Sequence, residues 1–359
     1  MPIGISFYTF HGLSYVIDIY HRKIKPEKNI IDYAVFVSFF PLLVAGPIER
    51  ANHLLPQIRQ KRTFNYQTGI NGLKQILWGL FKKIVIADNC GEFANLIFDN
   101  ANNTPGSAHM LGAVFFAFQI YGDFSGYSDI AIGTARLFGI DLIRNFAFPY
   151  FSRDIGEFWR RWHISLSSWF RDYVYIPLGG SRGGTWTKIR NTFIIFIISG
   201  FWHGAKFTFI VWGILHALYF LPLLLTNKHR NNIDIVAKGK VLPTLRETLQ
   251  MLATFTLVCF AWIFFRAASM PEAINYILKI FSKSLFIAPA FLLSANAIIT
   301  IALVGIFILA EWAGREQQYA IEKVGANWKW AYRWLLYYAI ALATVLFAGT
   351  EQQFIYFQF

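Results

Sequence analysis

Three histidines stand in apolar surroundings, where an ionisable ring is costly and needs a reason. His203 ends an apolar stretch that starts at Thr192, within Ser199-Gly200-Phe201-Trp202-His203-Gly204. His216 lies inside the next apolar run, as Trp212-Gly213-Ile214-Leu215-His216, and His163 follows Trp162 in a mixed segment. A neutral imidazole is the usual group for taking a proton from a hydroxyl near neutral pH. That chemistry suits transfer of an acyl group from a thioester to an alcohol. Each histidine also reads as a hydrogen-bonded member of a core, and the residues alone do not choose. The three lie on separate segments without the short ligand spacing of zinc sites, so no metal is expected.

Two carboxylates, Asp123 and Asp129, follow a long apolar run directly, in Tyr121-Gly122-Asp123-Phe124-Ser125-Gly126-Tyr127-Ser128-Asp129. They either cap a helix or line a polar cavity. The glycine-rich segment 179–184 lacks the lysine–serine pair of a phosphate loop and reads as a flexible turn. No Gly-x-Ser-x-Gly hydrolase elbow is present. Cys90 and Cys259 are far apart, in apolar or amphipathic sequence, and neither a disulfide nor a zinc site is expected of them.

The elements that carry these groups must be helices in a membrane. Of 359 residues, 55% are hydrophobic, 18% aromatic and 15% charged, where a soluble domain has about 25% charged residues. Mean hydropathy is +0.41. Disorder and a coiled coil both need far more charge. The net charge of +13 does not argue for nucleic acid. The cations gather in short loops, 182–190 and 228–246, between apolar runs, as in loops held on the cytoplasmic side. The same loops suit anionic lipid or an acyl-CoA phosphate. A span needs about 20 mostly apolar residues. Charge-free runs at 101–122, 207–227, 248–265, 284–310 and 335–350, with shorter ones at 1–17, 33–48 and 191–205, predict about eight embedded helices, some short or re-entrant. The 284–310 span is expected to begin after Pro289. A hairpin of 191–205 with 207–227 would set the turn Trp202-His203-Gly204 within the membrane, with Gly204 allowing close approach and Trp202 shielding the site.

Segment 71–95 reads as a helix too charged to span. Segment 154–172 reads as one amphipathic helix. Asp154, Glu157, Arg160, Arg161, Ser168, Arg171 and Asp172 share one face, and Trp159, His163, Leu166 and Phe170 the other. Glu157 and Arg161, at i and i+4, are spaced to pair. Such a helix lies at the interface or caps a buried cavity.

Phe158 to Arg182 closely resembles the membrane-bound O-acyltransferases, and so does Phe201 to His216. Pro2 to Tyr8, Ala45-Gly46-Pro47-Ile48, Asp123 to Asp129 and the ending Phe354 to Phe359 resemble the same branch, that of alginate and peptidoglycan O-acetyltransferases. The likeness runs from residue 2 to residue 359 and implies a single all-α polytopic domain, a ring of tilted helices around a central tunnel. It implies that His203, in Trp-His-Gly, is the active-site histidine and His163 the second polar position of the core. Trp202, Asp123, Trp162, Arg161, Asp172 and His216 are expected around them as cavity or support residues. Branch members usually carry further hydrophobic helices ahead of the segment matching Pro2, so the ring is expected to lack them here.

The resemblance also implies the activity: movement of acetyl from cytoplasmic acetyl-CoA, with no bound cofactor, toward hydroxyls of an extracytoplasmic polysaccharide. The chain is then placed in the bacterial cytoplasmic (inner) membrane, against membrane lipid, with a separate periplasmic or surface acetyltransferase as partner. The rival class is a transporter or channel with intramembrane His and Asp in a proton path. The last six residues carry no charge and one hydroxyl, that of Tyr356. They read either as an interfacial aromatic anchor or as a tail that enters the tunnel. In the second reading Tyr356 carries the acyl group briefly, a role suggested by the similar ending of the small partner protein in teichoic-acid D-alanylation.

Overall fold

A computed structural model describes residues 4–355, the side chain of Ser6 excepted. Among these residues the regular elements are all helical. The α-helices are α1 (Ile5–Tyr20), α2 (Ile30–Ser38), α3 (Ala51–Arg59), α4 (Tyr66–Leu80), α5 (Asp88–Asp99), α6 (Gly106–Leu137) and α7 (Ile155–Arg161). They continue as α8 (Ile164–Phe170), α9 (Thr185–His203), α10 (Phe207–Leu225), α11 (Leu245–Arg266), α12 (Met270–Ile280), α13 (Ala295–Ala313) and α14 (Trp330–Leu346). Side-chain caps set several starts: Asn65 on α4, Asp154 on α7, Ser269 on α12, Ser294 on α13, and a Thr244–Glu247 capping box on α11.

Helices α10, α11 and α13 are each long and apolar enough to cross a bilayer, and α13 starts after Pro289 as the sequence predicts. Helix α12 and the helical turns of 283–293 form a pair bent by 56°, which makes a fourth span if the two count as one. The other expected spans take different forms. Helix α14 has 17 residues. Of the apolar run 101–122 only 106–122 is helical, as the first half of α6, whose 32 residues reach about 48 Å and continue through Asp123, Asp129 and Arg136.

Helix α6 is the axis of the core. Helix α4, a π-helical turn (Phe81–Ala87) and α5 run along it as one length of helix. Contact is backbone to backbone: a Cβ at Gly79 would stand 2.6 Å from the Gly126 carbonyl oxygen, and one at Gly126 would stand 2.7 Å from that of Gly79. The π turn adds a residue to the helical repeat and brings two consecutive lysines, Lys82 and Lys83, to the α6 side. So segment 71–95 turns Lys82 and Lys83 inward, where they meet the aspartates of α6. Helices α9 and α10 form the expected hairpin, again through glycine: a Cβ at Gly200 would lie 2.3 Å from the Phe209 oxygen, and one at Gly213 2.2 Å from the Phe196 oxygen.

The single amphipathic helix expected over 154–172 is not formed. It breaks between α7 and α8 at His163, which takes a left-handed backbone with φ 44°. Glu157 is also not on a solvated face. It is 1% exposed and holds Arg161 at 2.8 Å, the expected i,i+4 pair, and Arg153 at 3.0 Å.

Candidate active site

The break at His163 is held by tertiary contacts. Asn145, fully buried, accepts the Ile164 N–H on its backbone oxygen at 2.9 Å. Its side-chain oxygen accepts the Ser165 hydroxyl at 2.5 Å, and its amide donates to Ser128 of α6 at 3.1 Å. A left-handed non-glycine residue is strained and persists where its surroundings over-determine it. Here that geometry turns the imidazole inward. The ring is 1% exposed, lies 4.7 Å edge-on from Phe124 and stacks 6.5 Å from Phe7. Neither of its nitrogens has a hydrogen-bond partner among the described residues.

His203 is the last residue of α9 and is partly buried. Its ring is 4.7 Å from Trp202, 5.3 Å from Trp212 and 5.0 Å from Phe265. Beside it the Phe209 ring occupies the space a Cβ at Gly204 would need, with a carbon 2.6 Å away. This is the close approach expected of that glycine. His216 is fully buried on α10, and its Nδ1 accepts the Trp159 indole N–H at 3.2 Å. That bond leaves the proton of the neutral ring on Nε2, which has no partner among the described residues.

These rings form one row. His163 is 6.2 Å from Trp202, Trp202 4.7 Å from His203, His203 5.3 Å from Trp212, and Trp212 4.9 Å from His216. The three histidines are thus strung on two indoles. Trp162, 4% exposed, packs behind the row between Phe146 at 5.0 Å and Trp262 at 5.1 Å. Among the described residues no group of three or more His, Cys, Asp or Glu converges as metal ligands.

The aspartates lie mid-helix, so neither caps α6; Asp129 lines a polar cavity, and Asp123 is instead paired between helices. Asp129 pairs with Lys82 at 2.5 Å and accepts Gln75 at 2.8 Å. Asp123 pairs with Lys83 at 3.0 Å and accepts the Ile355 N–H at 2.6 Å. A small cavity lined by Lys82, Tyr121, Asp129, Arg144, Asn145 and Glu311 lies here. Tyr121 donates to Glu311 at 2.5 Å, and Trp78 donates to it at 3.2 Å. Phe146, which also lines this cavity, touches both Phe124 and Trp162 and so links it to the His163 pocket.

Arg161 sits outside the row, on Glu157 and the Asp234 carbonyl. Asp172 lies in an ion-pair group with Arg171 at 2.8 Å and Arg50 at 3.9 Å. Tyr356 is outside the described residues. Reading the sequence missed Phe7, Asn145, Lys82 and Glu311. Only Glu311 had a visible signal, as the first charge after the long apolar run 284–310.

The sequence pattern of MBOAT, the membrane-bound O-acyltransferase family, matches residues 23–246. The chain is 42% identical over 273 residues to the probable alginate O-acetylase AlgI of Pseudomonas aeruginosa, covering 76% of this chain and 50% of that protein. It is 38% identical over 301 residues to a peptidoglycan O-acetyltransferase of Helicobacter pylori, at 77% and 56% coverage. It is 30% identical over 280 residues to a teichoic acid D-alanyltransferase of Bacillus subtilis, at 73% and 68% coverage. The chain belongs to the membrane-bound O-acyltransferase family and is an all-helical, polytopic membrane protein. It spans about half the length of the alginate and peptidoglycan relatives it matches.

Proposed function

We propose that this chain is a membrane-bound O-acetyltransferase that moves acetyl from cytoplasmic acetyl-CoA toward hydroxyls of an extracytoplasmic polysaccharide, with His203 at the centre of the reaction. The observation that carries this reading is the row of imidazoles and indoles, with His163 buried and unpartnered at one end. Buried polar atoms are normally satisfied, and an unsatisfied imidazole is suited to a substrate hydroxyl or carbonyl. His203 takes the proton of the acceptor hydroxyl as its oxygen bonds to the acetyl carbon. The carbon–sulfur bond then breaks, and the thiolate of coenzyme A leaves with that proton. His163 orients the donor carbonyl or the acceptor. The names of the relatives support an acceptor of the alginate-like or peptidoglycan class. The proposed setting is the bacterial inner membrane, with a separate periplasmic or surface acetyltransferase completing delivery.

The rival reading is a transporter or channel, favoured by the buried Lys82–Asp129 and Tyr121–Glu311 pairs, since such groups suit a proton path. Alkali-released acetate, measured separately on purified peptidoglycan and on secreted polysaccharide from cells with and without the gene, separates the two. The acyltransferase reading requires a gene-dependent loss of ester on one polymer. Unchanged ester on both polymers supports the rival.

A further inference from the structure

Between the start of α11 and the end of α13 lies a groove of about 500 Å³ that the acyl-transfer reading leaves unused. Met251 and Phe255 of α11, Val304, Gly305 and Ile308 of α13, and Phe118 of α6 form its walls. Both flanking helices are spans, so the groove lies at membrane depth. Its residues fall in the first three turns of one and the last four turns of the other, which places it toward one end of both.

Just past that end is a second cavity, of about 330 Å³, with the opposite character. Arg144, Arg161, Arg315 and Lys323 face Glu316 and Glu322 across it, an excess of positive charge. Arg161 and Arg315 are held by Glu157 and by loop carbonyls. The side chains of Arg144 and Lys323 are exposed and make no ion pair or hydrogen bond among the described residues. Phe148 lines both cavities, and its backbone is left-handed at φ 54°. Trp312 marks the level between them: its ring packs on Phe151 and lies 4.1 Å under the Arg315 guanidinium. Tryptophan favours the headgroup zone of a bilayer.

We infer that the two cavities form one binding site for an anionic phospholipid, with an acyl chain in the groove and the phosphate headgroup on Arg144 and Lys323. An apolar slot at membrane depth that opens onto a cavity with more cations than carboxylates complements an amphiphile of negative head and apolar tail. A zwitterionic lipid would bring its ammonium group against those same cations. The groove shares Tyr121, Phe148 and Glu311 with the polar cavity beside Asp129, but the lipid proposal does not depend on which reaction the histidine row performs.

The test uses the full chain in nanodiscs of mixed phosphatidylglycerol and phosphatidylethanolamine, with bound lipid read by native mass spectrometry. Wild-type protein retains phosphatidylglycerol in preference to phosphatidylethanolamine. Arg144→Gln with Lys323→Gln weakens that retention about 25-fold, five-fold for each cation lost near a lipid surface. Arg144→Lys keeps the charge and the lipid. A Cβ at Gly305 meets nothing within 4 Å, so Gly305→Leu fills the groove without disturbing the helix and expels the chain. Loss in both the charge variant and the groove variant, each still monodisperse, supports the site. Loss in the charge variant alone makes the cationic cavity a site for a soluble anion and overturns the proposal. Loss in the groove variant alone, equal retention in all variants, or no preference for phosphatidylglycerol overturns it as well.

Discussion

The backbone N–H of Ile355 donates to Asp123 Oδ2 at 2.6 Å. This bond ties residue 355, itself 1% exposed, to the middle of α6. Lys83 completes the knot, 3.0 Å from Asp123, 2.7 Å from Asp88 and 3.0 Å from the Gln352 carbonyl. Asp123→Ala leaves that N–H without its acceptor and Lys83 with one carboxylate fewer. A broken buried pair costs about 3 kcal/mol or more, and Asp88 offsets part of it. The midpoint of thermal unfolding in detergent should fall for Asp123→Ala and fall less for Asp123→Asn, which keeps an acceptor. Wild-type midpoints in both would make the contact incidental.

Residue 355 is therefore seated in the core immediately before Tyr356. If Tyr356 relays the acyl group, Tyr356→Phe abolishes glycan acetylation in protein that remains inserted and folded. Phenoxide leaves more readily than an alkoxide, given a tyrosine pKa near 10, so a phenol ester is a competent donor. Mass spectrometry of the C-terminal peptide should then find acetyl on the wild-type chain and none in a His203→Ala background. If the tail is only an aromatic anchor, Tyr356→Phe acetylates at the normal rate.

Much of this arrangement is legible in the amino-acid sequence. The Trp202-His203-Gly204 turn shows because a polar ring and a glycine interrupt apolar sequence, and the start of α13 shows because Pro289 ends what precedes it. The break at His163 does not show. Helical periodicity reads straight through one left-handed residue that is neither glycine nor proline, and Asn145, from another segment, is what holds it. The pairing of Lys82 and Lys83 with Asp129 and Asp123 is equally hidden. It depends on a π turn and on glycine contacts between two helices, neither of which leaves a local pattern.

His163 is expected to orient a reacting group through a hydrogen bond. His163→Asn keeps one polar contact and should retain more acetylation than His163→Ala, which should lose about ten-fold or more, the scale of one hydrogen bond to a charged group. Wild-type rates in both variants would make this imidazole purely structural.

One titration lies outside the spans, on the short polar helix α3. A hydrogen bond of 2.8 Å from His53 Nδ1 to the Glu49 carboxylate raises the His53 pKa above its ordinary value of 6.5. The same Glu49 accepts the Ile143 N–H at 2.7 Å. A raised folded pKa gives stability that is fully present below pH 6.5 and is lost as pH climbs through the folded value. His53 is well exposed, so the increment is about 0.5 kcal/mol. Between pH 6 and pH 8 the wild-type melting midpoint should fall more than that of His53→Gln. Equal shifts would show that the pair contributes nothing.

The most direct measurement is acetyl transfer by His203→Ala protein, expressed and inserted at wild-type levels, read as alkali-released acetate on the acceptor polymer. A proton-transfer role predicts a loss of about 10²-fold or more, the usual contribution of an acid–base group. Acetylation close to wild type in that variant would contradict it.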